Sequence, residues 1–212
     1  MIDQTGTGYV SVIGFSYLYP LIDLLDKLLR LEGSPNEVQA SSQENGYASA
    51  IIVLSVLMVE SAIARAKCDM KIEKPKSALQ FMRSRFSQYP GLPILEELFV
   101  IRDAIVHNHL WQARITWTQN WDMKLQSAEK WEGSWDSKLS LVLDPETRKT
   151  KILGLNLFPT RIAKDDAILV IKRAAEILQF IEANGSPLVD VSDQDVEFRG
   201  HLVSFVDLVS SL

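Results

Sequence analysis

The chain has 212 residues, with 27 acidic against 22 basic side chains and 47% hydrophobic content. A domain of this size buries roughly 70% of its unfolded surface, so it needs no disulfide or metal staple, and the composition excludes a disordered chain. The formal charge of −5 excludes a nucleic-acid-binding surface spread over the whole molecule, though not a local one.

Cys68 is the single cysteine, which rules out an intramolecular disulfide and a Cys-rich zinc site and predicts a reducing, cytoplasmic setting. The opening stretch "MIDQTGTGYVSVIGF" carries an aspartate where a secretion signal would carry lysine or arginine, so no such signal is expected. Residues 16–31, "SYLYPLIDLLDKLLRL", place leucines at 18, 21, 25 and 28, a helical stripe with Pro20 in its first turn. "EGSPNEVQASSQENG" then reads as a polar loop ending near Gly46. A long helix follows from Tyr47 to Cys68, apolar on nearly all sides until Glu60. Its greasiest part, "ASAIIVLSVLMV" at 48–59, spans about twelve residues against the about 20 that a bilayer needs, so a buried helix is expected and no membrane partner.

Between Ser61 and Arg85 seven basic residues face two acidic ones, a local excess of +5. After Ser186 the balance reverses, with Asp190, Asp193, Asp195, Glu197 and Asp207 against Arg199. Such asymmetry builds either a local field for an anionic ligand or merely solvated helix ends. "KPKSALQFMRSRFSQY" predicts a shorter helix, "PGLP" breaks it, and Pro93 opens "PILEELFVIRDAIVHNHLW", read as helix through Trp111. Four helices thus fill the first half.

Beyond them the pattern changes. "ARITWTQNW" is compatible with a strand or a helix extension, and "KLSLVL-DPETRK-TKILGLNLF" predicts a β-hairpin over 138–157. A strong helix follows over 164–182, stopped by "NGSP", and "FRGHLVSFVDLVSSL" suggests a final short helix. The predicted architecture is one mainly α domain over 1–212. It is a four- to five-helix bundle with a Trp-rich, strand-containing insertion at 112–160 before the last long helix, and an acidic tail at 186–212.

Chemistry concentrates in "RDAIVHNHLW", residues 102–111, which holds two of the three histidines. Four readings apply. Metal binding through His107 and His109 is disfavoured, because an H-x-H pair splays about 200° apart on a helix. A nucleophilic triad lacks G-x-S-x-G or a nearby thiol. Acid–base chemistry on an anionic substrate fits better: an arginine can hold a phosphate and a histidine can move a proton. RNA cleavage needs little else, only activation of the ribose 2′-hydroxyl and stabilisation of charge on the phosphate. The bland alternative is that cations cap the end of a helix.

Arg102-Asp103-Ala104-Ile105-Val106-His107 resembles the R-x4-H motif of the HEPN superfamily, in which the residue after the arginine is usually polar, as Asp103 is. The resemblance covers residues 15–110 and the 164–182 helix. It implies a HEPN-like bundle and a metal-independent endoribonuclease without a cofactor, of the kind found in toxins and antiviral abortive-infection effectors. Arg102 would stabilise the phosphate and His107 would transfer the proton. His109 satisfies the looser spacing of the motif, and Asn108 and Glu60 are supporting candidates. Five positions on an α-helix rotate by about 140°, so Arg102 and His107 do not share a face on one regular helix. The family's solution is a symmetric homodimer in which two motifs meet in one cleft. Asp103 and His107, at i and i+4, do share a face, so Asp103 is placed to orient the imidazole. The partners implied are RNA, a second copy of the chain and a cognate antitoxin protein.

Two further features stay open. Glu60 either pairs with Arg102 or marks where its helix meets solvent. The five tryptophans (111, 117, 121, 131 and 135) either stack on unpaired bases or pack the insertion onto the bundle, with 117/121 and 131/135 at helical spacing. His201 in the acidic tail is read as incidental. The rivals to the ribonuclease are a non-catalytic HEPN-like module that binds a nucleotide or a partner protein, and a helical interaction protein of unrelated lineage.

Overall fold

In a computed structural model, the described residues are 15–32, 40–71, 77–106, 111–117, 121–130, 137–144, 146–147, 149–156, 159–184 and 189–212. The chain is mainly helical. Its elements run α1 (Leu18–Arg30), α2 (Ser42–Asp69), α3 (Ala78–Arg85), α4 (Leu92–Val106), β1 (Trp111–Trp117), β2 (Trp121–Lys130), α5 (Ser137–Val142), α6 (Lys164–Ala183), β3 (Asp195–Phe198), β4 (His201–Ser204) and α7 (Phe205–Ser211).

The core forms around α2, on which α1, α3, α4 and α6 all pack, α6 most extensively. The leucine stripe of α1 is fully buried as its spacing requires, Leu21, Leu25 and Leu28 at 0% exposure. The stripe of α6 is equally regular: Ala167, Val170, Ile171, Ala174, Ile177, Leu178 and Ile181 are all buried, a helical i, i+3, i+4, i+7 repeat.

The helix α2 is longer than its greasy centre suggests. It begins at Ser42, not Tyr47, because Ser41 caps it: the Ser41 hydroxyl accepts from the Glu44 amide at 3.1 Å. The S-x-x-E spacing is a helix-start signature, and Gly46 simply lies inside the first turns. Buried residues continue past Glu60 at Ala62, Ile63 and Ala66, so the apolar helix reaches 28 residues. By length and composition it could cross a membrane, yet half of its most apolar window is buried inside this fold.

Three expectations in the second half are corrected. Trp111 opens a strand instead of closing a helix, because "WQARITW" alternates apolar and polar residues with a period of two. The strands β1 and β2 pair antiparallel, with Ile115 opposite Met123 and Trp117 opposite Trp121, so these tryptophans are cross-strand partners and not helical neighbours. The hairpin expected at 138–157 is replaced by α5 and a compact loop. Leu139, Val142 and Leu143 are buried at i, i+3 and i+4 while Leu141 faces out, a helical division that an alternating reading of "KLSLVL" misses. Among the described residues, the loop behind it keeps two isolated bridges, Leu143 with Thr150 and Lys149 with Asn156.

The third correction is at the C-terminus, where the first half of the expected helix is the turn and second strand of the hairpin β3–β4 and only α7 is helical. Arg199 and Gly200 both take positive φ, 53° and 79°, as the tightest hairpin turns require. The acidic residues there decorate a packed segment, since Val191, Val196, Phe205 and Val209 belong to the core.

Two buried carboxylates tie the 149–156 loop to the bundle. Glu97 on α4, 1% exposed, accepts from the amides of Ile152 (2.8 Å) and Leu153 (3.0 Å). Asp166 on α6 accepts from the Asn156 amide at 3.0 Å and reaches back to the Ala163 amide at 3.0 Å, starting α6. Burial raises the Asp166 carboxyl above its ordinary range, with the Asn156 donors opposing it.

Candidate functional site

Arg102 lies in the last described turn of α4, four residues before Val106 ends it. Ile101 and Ala104 are buried on either side, so packing fixes the α4 backbone while Arg102 lies along the α2 side. There it meets Glu60. Nη1 donates to one carboxylate oxygen at 2.8 Å and Nη2 to the other at 2.8 Å, a parallel two-point pair between residues 42 apart in sequence. Glu60 therefore pairs with Arg102. The other reading, that it marks solvent, is half right: its side chain keeps 29% exposure against 19% for Arg102.

Asp103 completes the cluster. Its Oδ1 sits 2.9 Å from Arg102 Nε, within ion-pair range, yet Nε has no hydrogen-bond acceptor. The carboxylate thus lies beside the N–H direction, not along it, and the contact is Coulombic. One guanidinium faces two carboxylates, so these three groups sum to a formal −1.

The predicted site residues divide accordingly. Arg102, Asp103 and Glu60 are brought together. His107, Asn108 and His109 lie outside the described residues, as do Trp131 and Trp135. Among the described residues, no group of three or more His, Cys, Asp or Glu side chains is placed to hold a metal ion. His201 stands on β4, exposed and far along the chain from the motif.

The described residues also line grooves that the sequence did not announce. One of about 850 Å³ lies between α1 and the β3–β4 turn, where Asp26 bridges Arg30 and Arg199. The Arg30 guanidinium holds the Asp26 carboxyl below its ordinary range, and Arg199 adds to this. The D-x-x-x-R spacing on α1 was its sequence signal; the contact from Arg199, 173 residues away, had none. The second groove, about 640 Å³, runs between Tyr89 and α6. Tyr89 stacks on Phe180 with ring centroids 3.9 Å apart.

Chemically, the Arg102 cluster supplies a fixed cation with acidic neighbours in the last described turn of α4. No family model, curated protein or solved structure matches the chain.

Proposed function

We propose that the protein is a metal-independent endoribonuclease of the HEPN type, acting as a toxin or antiviral effector. The observation that favours it is the placement of Arg102: the motif arginine stands partly exposed in the last described turn of α4, its planar guanidinium held in one orientation by Glu60 and ready to grip a phosphate once that pair opens. His107, following Val106 directly, takes the proton-transfer role, and the ribose 2′-hydroxyl is the nucleophile. Asp103 is the group that orients the imidazole. On this reading a second copy completes the cleft, RNA is the substrate, no cofactor takes part and an antitoxin protein restrains the activity.

The test is substitution at Arg102. Arg102→Lys keeps the charge and loses the two-point geometry, so it should cleave RNA nearly as poorly as Arg102→Ala. Light scattering should give about twice the chain mass of 23.9 kDa. A monomer at tens of micromolar overturns the composite cleft.

One observation favours a second reading, a non-catalytic HEPN-like module that binds a nucleotide or a partner protein. Glu60 occupies both Nη atoms and Asp103 stands at Nε, as in a structural ion pair that joins two helices. Wild-type protein that is folded, dimeric and inert on every RNA would favour this alternative.

A further inference from the structure

A guanidinium offers a phosphate two bidentate edges, one formed by its two Nη atoms and one by Nε with a single Nη. In Arg102 both are taken. Glu60 fills the first with hydrogen bonds of 2.8 Å from each Nη. Asp103 obstructs the second, its Oδ1 lying 2.9 Å from Nε without a hydrogen bond of its own. An incoming phosphodiester finds no free two-point edge and approaches two carboxylates. At these separations each like charge opposes it appreciably even at the higher effective dielectric of a partly exposed site.

We infer that Glu60 is a built-in counter-ion that locks Arg102 against anions, and that phosphate binding at Arg102 requires Glu60 to let go. The inference rests on the phosphate-binding role given to Arg102 in the ribonuclease reading, and adds regulation to that site. The two residues come from different helices, so the lock opens by a small shift of α4 against α2 or by a rotamer change of Glu60, with no unfolding. Both side chains are partly exposed, which leaves an anion free to compete. The second edge differs in kind. Asp103 shares no hydrogen bond with Nε and can swing away at little cost, so Glu60 holds the decisive contact.

The test uses full-length protein and a fluorescein-labelled 2′-O-methyl RNA oligonucleotide, which has no free 2′-hydroxyl and is not consumed. Anisotropy should show Glu60→Gln binding about tenfold tighter than wild type, the effect of removing one opposing charge at this range. The gain should vanish in Glu60→Gln/Arg102→Ala, which ties it to that guanidinium. Equal or weaker binding by folded Glu60→Gln overturns the lock. If Glu60→Gln does not fold, Glu60→Asp, which keeps the charge between the helices but withdraws the carboxylate from both Nη atoms, is read in the same way. RNA cleavage by wild type is scored separately. Cleavage without an affinity gain overturns the lock alone, and an affinity gain without cleavage in any variant overturns the ribonuclease reading alone.

Discussion

Glu60 on α2 and Arg102 on α4 are joined by two parallel N–H···O hydrogen bonds of 2.8 Å each. Neither partner is fully buried, so the pair lies between the weak surface ion pair and the costly buried one. Arg102→Ala and Glu60→Ala should each lower stability by about 1–3 kcal/mol, more than the loss of a cation at a helix end would cost. A double-mutant cycle by urea unfolding should give a coupling of about 0.5–3 kcal/mol. Additive losses would mean that the pair contributes nothing beyond packing.

Glu97 offers a sharper stability test, because its carboxylate is the acceptor for two backbone amides. Glu97→Ala orphans the amides of Ile152 and Leu153 and leaves a void beside α4, at a cost of about 2–4 kcal/mol. Hydrogen exchange at those two amides should accelerate more than exchange along α6. Unchanged protection there would show that the loop is held by other contacts.

The architecture was legible where periodicity was unambiguous. The leucine stripe of α1 and the long stripe of α6 can satisfy only one period, and both helices stand where the pattern places them. "KLSLVL" is short enough to fit a strand or a helix, and only burial of Leu139, Val142 and Leu143 against α4 decides it. The strand that begins at Trp111 was hidden by the apolar run before it, since both periods accept a Val-His-Asn-His-Leu-Trp junction. At the candidate site the Arg102 motif was readable, and so was Glu60 as a charge in search of a partner. Which partner it takes depends on how α2 and α4 cross, a tertiary property that no local spacing encodes.

Gly91 packs close to the Tyr89 ring, which stacks on Phe180. A Cβ at Gly91 would collide with that ring, so the ring or its stacking on Phe180 would have to shift. Gly91→Ala should therefore destabilise by about 1–3 kcal/mol, the usual cost of overpacking. Gly91→Ala/Tyr89→Ala should cost less than the sum of the two changes, since removing the ring removes the clash. Simple additivity would contradict the clash.

The same ring has a pH signature. Burial, reinforced by the negative charge of Glu176, pushes the Tyr89 hydroxyl from 10.0 up to about 12. A folded-state pKa raised above the unfolded one gives a contribution fully present below pH 10 and lost as pH climbs through about 12. The phenolate absorbance isolated by difference with Tyr89→Phe should rise near the upper value. A midpoint near 10 would place the ring in water.

RNA cleavage that depends on Arg102 and His107 can be read from a labelled substrate. End-labelled single-stranded RNA is incubated with wild type, Arg102→Ala and His107→Ala in EDTA, and the products are resolved with their 3′ ends identified. Wild-type fragments should end in a 2′,3′-cyclic phosphate, with rates about 10²–10⁴ lower when the proton-transfer group is removed and a comparable loss in Arg102→Ala. Wild-type rates in Arg102→Ala, or no cleavage of any RNA by folded wild-type protein, would contradict it.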